Sequence, residues 1–153
     1  MLRDDGSGVT AGGRLLAVDW GERRIGLSLS DETQRLAQPL TTLTRRAGKR
    51  FPMRQLCTLL EQHAVAGVIV GLPLDEQGEE GAPARAAREL AAAIGRQTGR
   101  PVELWDERMT TARALQAVRE MGGSARGRKG DVDALAATLL LQHYLDARRG
   151  SAT

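Results

Sequence analysis

The sequence predicts an α/β protein: a mixed five-stranded sheet, with three antiparallel strands followed by parallel additions and helices on both faces. Three observations lead there. Residues 14–43 hold three extended segments in succession, and after residue 48 the pattern changes to helical and extended segments in turn. The length of 153 residues fits one domain and leaves little room for a second core.

Each element has its own signal. Residues 14–20 are a nearly continuous apolar run interrupted by Asp19, and residues 24–30 alternate with Ile25, Leu27 and Leu29 on one face, so the two form a hairpin across the turn at 21–23. A less regular extended segment at 36–43 carries Pro39, which suits an edge position. Over residues 48–64, Phe51, Leu56, Leu59, Leu60 and His63 fall on one helical stripe. A buried-type strand at 66–72 is closed by Pro73, an Ala-rich helix covers 82–98 and a last strand covers 101–105. Thr110 or Thr111 can cap a helix to Met121, residues 122–130 read as a Gly/Arg loop, and residues 131–147 form the final helix. This order is that of the ribonuclease H-like fold. The domain is expected over 14–147, between loose tails at 1–13 and 148–153.

Composition narrows the function classes. No apolar run approaches the roughly 18 residues of a membrane span. The opening stretch, with Asp4, Asp5 and several glycines, lacks the apolar core of a secretory signal. The single cysteine, Cys57, excludes an internal disulfide framework and a Cys-rich zinc site, and a reducing cytoplasmic setting is expected. The net charge is only +3, yet the basic residues are unevenly placed: Arg45, Arg46, Lys49, Arg50 and Arg54 form one cluster, and Arg126, Arg128 and Lys129 another. Such clusters suit a polyanion, most economically nucleic acid, although solvated loops also carry them.

The acids stand in unusual places. Asp19 falls near the end of an apolar strand, where a carboxylate is costly unless it is paired or holds a cation; an aspartate opening the hairpin turn is the alternative. Side chains alternate along the last strand, so Asp106 shares a face with Val102 and Leu104, and Glu107 shares the other with Glu103 and Trp105. Asp131 and Asp133 point roughly 160° apart on a helix. A buried stripe through Val132, Leu135, Ala136, Leu139, Leu140 and His143 would put Asp133 on its flank, and Asp131 faces away as a first-turn helix acid. Asp19, one of Asp106 or Glu107, and Asp133 therefore lie at element ends that this topology can bring together. Three such acids form a hard-oxygen site suited to Mg²⁺ or Mn²⁺. Two such ions about 3.5–4 Å apart can activate a water and stabilise the leaving oxygen of a phosphodiester.

Four segments resemble the motifs of the YqgF/RuvX family, in the right order across residues 14–147: residues 19–31 (DWGERRIGLSLSD), residues 70–74 (VGLPL) with Gly78 and Gly81, residues 106–112 (DERMTTA) and residues 129–137 (KGDVDALAA). The resemblance implies a ribonuclease H-like nuclease, described both as a pre-16S rRNA nuclease and as a Holliday junction resolvase. It implies catalytic acids at Asp19, the Asp106–Glu107 pair and Asp133. Junction resolvases of the RuvC type carry their second acid after the strand equivalent to 68–72; here that strand ends in Gly71, Leu72 and Pro73, so the 106–107 pair must supply it. Glu107, the longer side chain, is favoured as the metal ligand.

Arg24 and Arg108 adjoin the acids and either clamp a substrate phosphate or orient those acids by ion pairing. Arg126 and Lys129 are plausible strand contacts, and Gly71 with Pro73 suits a close backbone approach to a phosphate or simply ends the strand. His63, His143, Trp20 and Trp105 are better explained as core or core-edge residues. The leading expectation is a metal-dependent nuclease on structured RNA, processing the 5′ end of pre-16S rRNA. Its alternatives are a resolvase of branched DNA, which would act as a homodimer, and a non-catalytic nucleic-acid-binding ribosome-assembly factor. A nucleotide phosphotransferase fits poorly, for want of a second domain and of any phosphate-binding glycine loop.

Overall fold

The computed structural model describes residues 12–21, 23–45, 50–109 and 129–152, with side chains over 132–149 of the last segment. Its elements are β1 (Arg14–Trp20), β2 (Arg24–Ser30), β3 (Ala37–Thr44), α1 (Met53–Gln62), β4 (Val65–Leu72), α2 (Ala82–Thr98), β5 (Val102–Asp106), a 3₁₀ turn (Glu107–Met109) and α3 (Lys129–Ala152). The helix expected from residue 110 to 121 lies outside the described residues. The five strands form one sheet in the order β3-β2-β1-β4-β5. β1–β2 and β2–β3 are antiparallel, whereas β1–β4 and β4–β5 are parallel. The mixed five-stranded sheet read from the sequence is the one observed.

Alternation along the strands divides the core into two layers. Leu16, Val18, Ile25, Leu27 and Leu29 face α1 and α2, meeting Leu56, Leu60, Leu90 and Ile94. Leu15, Ala17 and Ile69 face α3, meeting Ala136, Leu140, Leu141, Tyr144 and Leu145. β4 sits between neighbours and beneath helices on both faces, which is why its sequence is apolar throughout rather than alternating. β3 is an edge strand, and its pairing with β2 shifts register between Leu27 and Ser28, next to Pro39, where the ring's missing N–H interrupts no interior ladder.

α3 differs from expectation in length and in rotation. It begins at Lys129, inside the expected loop, and continues to Ala152, through the residues expected as a loose tail. Its buried face runs through Asp133, Ala134, Ala136, Ala137, Leu140, Leu141, Tyr144 and Leu145, whereas Leu135, placed in the buried stripe by its apolarity, is 43% exposed. The reason is close approach. The helix backbone lies directly over Gly26, so small residues turn toward the sheet there and the bulkier Leu135 is turned out. The buried Ser28 hydroxyl donates to the Ala137 carbonyl at 2.7 Å and fixes this contact one turn further along.

Candidate active site

Asp19 is the last residue but one of β1 and lies on the α3 face with Leu15 and Ala17. It pairs in register with Gly26 of β2. On its other side Val18 pairs with Val70 of β4, so Asp19 and Gly71 follow side by side where that ladder ends. Asp19 therefore has glycine next to it on both neighbouring strands, and another part of the chain uses the space each glycine leaves. A Cβ at Gly26 would stand 2.0 Å from the carbonyl oxygen of Asp133, and one at Gly71 would stand 2.6 Å from Oε2 of Glu107. Only glycine admits contacts this close. Asp133 is thus seated on one flank of Asp19 and the Glu107 carboxylate on the other. All three acids are buried, at 2% exposure for Asp19, 0% for Asp133 and 5% for Glu107.

Burying carboxylates is unfavourable unless each is compensated. For Asp133 the compensation is Arg24, whose Nε donates to Oδ2 at 2.6 Å, with the guanidinium about one-third exposed and the carboxylate fully buried. Of the two roles considered for Arg24, the structure places it in the ion pair.

The Asp106–Glu107 pair divides as side-chain alternation requires. Glu107 turns to the α3 face and covers Gly71. Asp106 accepts from the Arg108 backbone N–H at 2.9 Å and from its guanidinium at 2.9 Å. Arg108 Nη1 also reaches the Asp75 and Glu76 carbonyls at 3.4 and 3.5 Å and packs on Gly78. Asp106 and Arg108 thus brace the loop between β4 and α2, and Arg108 is not held beside Asp19. Gly71, considered for backbone approach to a phosphate, instead makes room for Glu107. Lys129 opens α3 one turn before Asp133; its side chain, and the whole of Arg126, lie outside the described residues.

The remaining candidates are structural. Trp105 Nε1 donates to His143 Nδ1 at 3.1 Å and meets Tyr144 edge-on at 5.1 Å. His63 ends α1. Trp20 is half-buried against Phe51, with the Arg45 guanidinium 4.7 Å from its ring centroid. Sequence reasoning missed Gly26. A glycine inside an alternating strand was the available signal for close packing.

The donor types suit a hard divalent cation, since all three are carboxylates. The cradle at Gly71, which sets the Glu107 carboxylate beside the end of β1, fits the same purpose. The spacing shown does not close around one ion: among the described residues no group of three His, Cys, Asp or Glu is so arranged, and Asp133 Oδ2 is engaged by Arg24.

Comparison with known proteins bears on the family and the fold. The family model described as "RuvX: Holliday junction resolvase" matches residues 13–147. A relative from Anaeromyxobacter sp. (strain Fw109-5), named "Putative pre-16S rRNA nuclease", is 44% identical over 135 residues, covering 88% of this chain and 98% of its own. A relative of the same name from Chloroflexus aurantiacus is 40% identical over 137 residues, covering 90% and 89%. Among solved structures, T. thermophilus RuvC in complex with a Holliday junction substrate superposes with a TM-score of 0.54 at 17% identity, over 90% of this chain and 96% of that one. That likeness identifies the fold as ribonuclease H-like. Given the extent of the family match and of the relatives, the chain belongs to the RuvX family.

Proposed function

We propose that this protein is a divalent-metal-dependent nuclease that hydrolyses phosphodiester bonds in structured RNA and processes the 5′ end of pre-16S rRNA. The observation that supports the reading is that three buried acids, from β1, the turn after β5 and the start of α3, are seated at one sheet end, where Gly26 makes room for the Asp133 backbone and Gly71 for the Glu107 side chain. The names of the close relatives supply the substrate. Asp19, Glu107 and Asp133 are the residues that would hold Mg²⁺ or Mn²⁺. Bound ions would activate water and stabilise the leaving oxygen. Asp19 comes from the end of β1 and Glu107 from the turn that directly follows β5, so both are placed by the sheet. Arg24 holds the Asp133 carboxylate in position, and that oxygen would have to leave the guanidinium to hold a metal. A cytoplasmic location follows from a ribosomal RNA precursor as substrate.

The test is digestion of end-labelled pre-16S rRNA with Mg²⁺ or Mn²⁺ by the native chain and by Asp19→Asn, Glu107→Gln and Asp133→Asn. Loss of at least ~100-fold in each variant is expected. Equal rates, or cleavage that persists in EDTA, would overturn the reading. Resolution of branched DNA is a second reading, favoured by the family's description as a Holliday junction resolvase. It requires two active sites on opposed strands and hence a dimer. Preference for a four-way junction over the RNA, together with a dimeric mass in solution, would select it.

A further inference from the structure

The corner of the sheet next to the carboxylates carries a second constellation that the catalytic reading does not use. Trp20 follows Asp19 and points to the opposite face of the sheet, so the two side chains leave the same strand end on different sides. The Trp20 ring packs on Phe51 at 6.0 Å and carries the Arg45 guanidinium at 4.7 Å, within cation–π range. The Arg45 backbone N–H donates to the Arg23 carbonyl at 2.9 Å, which ties the exit of β3 to the β1–β2 hairpin. Trp20 therefore holds Arg45 and Phe51 together, and the exposed Arg23 and Arg50 adjoin them in the chain, Arg23 through its carbonyl bond to Arg45 and Arg50 as the residue before Phe51. Arg54, also exposed, stands in the first turn of α1, which contains no acid. Between Glu32 and Glu61 the sequence has no carboxylate. The acid of the hairpin turn, Glu22, and the further bases Arg46 and Lys49 lie outside the described residues.

We infer that Arg45, Arg50 and Arg54 form a binding surface for the backbone phosphates of a single nucleic-acid strand, placed where a strand leaving the carboxylates would cross the end of β1. The chemistry is that of phosphate neutralisation without base readout: several guanidiniums on a rigid base, and a Trp20 ring that is covered by Arg45 and does not offer a stacking platform. Arg45 is the fixed anchor, because the indole face and its backbone bond to Arg23 hold it. Arg50 and Arg54 extend the surface along α1. The assignment rests on the nuclease reading only for the direction in which the strand runs; binding itself does not require cleavage.

The experiment is fluorescence anisotropy with a labelled single-stranded RNA, in EDTA, over a series of salt concentrations. The native chain is compared with Arg50→Ala/Arg54→Ala, with Arg45→Ala, and with Arg96→Ala/Arg149→Ala. The last pair removes equal charge from exposed positions at the far end of the molecule. The Arg50/Arg54 variant is expected to bind at least ~5-fold more weakly, with the slope of log K against log salt falling by about 0.7 for each phosphate that is no longer neutralised. Arg45→Ala is expected to weaken binding likewise, and the distant pair to leave it unchanged. Equal weakening by the distant pair would mean that net charge alone drives binding, and no weakening by Arg50/Arg54 would mean that the strand lies elsewhere; either result overturns the assignment. Binding is read in EDTA and so does not depend on cleavage: a native chain that binds here yet fails to cut pre-16S rRNA with Mg²⁺ or Mn²⁺ would refute the nuclease reading and leave this one standing.

Discussion

Replacing Gly26 by alanine should displace the helix that carries Asp133. The added Cβ would stand 2.0 Å from the Asp133 carbonyl oxygen and 2.4 Å from its carbon, both backbone atoms that no rotamer change can move. Ordinary contact begins at 3.4 Å, so the start of α3 must retreat by about 1.4 Å. Such overpacking costs about 1–3 kcal/mol. The retreat also lengthens the buried 2.7 Å bond from the Ser28 hydroxyl to the Ala137 carbonyl beyond hydrogen-bond range, for about 1 kcal/mol more. For a domain of this size, a loss of this order lowers the melting temperature by about 5–15 °C. The displaced Asp133 should lower cleavage by about 100-fold, since a misplacement near 1 Å at a catalytic group has that effect. Thermal unfolding followed by circular dichroism reads the first quantity, and single-turnover cleavage well below the melting point reads the second. A Gly26→Ala protein with native stability and native activity would refute the close packing of α3 on β2 and the role given to it.

Other perturbations separate stability from chemistry. Gly71→Ala meets first the Glu107 side chain, from Cγ to Oε2, which unlike backbone can rotate away, so stability should change less than for Gly26→Ala while activity falls steeply; comparable losses in both would contradict the cradle. Arg24→Ala leaves Asp133 buried without its guanidinium and should destabilise by about 1–3 kcal/mol, less than for a fully buried pair because Arg24 remains partly exposed. The same variant should bind Mn²⁺ more tightly in calorimetry, because the metal no longer competes with the guanidinium; weaker binding would show that Arg24 helps to build the metal site instead. Asp31 accepts from the Thr33 hydroxyl and from the Leu36 and Arg35 backbone N–H groups, which hold its carboxyl well below the usual carboxylate range. Its contribution to stability is therefore complete above the ordinary carboxylate pKa near 4 and is lost as the pH falls below that. Urea titrations of native and Asp31→Asn protein from pH 7 to pH 2 should converge at the acid end, and parallel curves would contradict the assignment.

Much of this arrangement was legible in the amino-acid order, and the limits have physical causes. The alternation of Ile25, Leu27 and Leu29 and the helical pattern of residues 82–98 depend on local periodicity, and both elements lie where that periodicity put them. Asp19 could be singled out because an acid in an apolar strand has a large burial cost wherever the strand sits. That Asp106 and Glu107 face opposite sides of the sheet followed from alternation, and the structure has Glu107 against Gly71 and Asp106 paired with Arg108. Which of the two stands on Asp19's side did not follow from it, and Glu107 was favoured only for its longer side chain. The rotation of α3 was not accessible, because it depends on Gly26 standing opposite Asp19 on a neighbouring strand. Leu135 was assigned inward for its apolarity, whereas a backbone-to-backbone contact decides the helix's orientation. The Arg24–Asp133 pair joins residues 109 positions apart, a distance over which sequence periodicity carries no information.

Anomalous diffraction from crystals grown with Mn²⁺ tests the central claim most directly. The account predicts strong anomalous density between β1, the turn after β5 and the start of α3, with carboxylate oxygens of Asp19, Glu107 and Asp133 at about 2.0–2.2 Å and Asp133 turned away from Arg24. Crystals that show manganese only elsewhere, with Asp133 still held by Arg24, would contradict it.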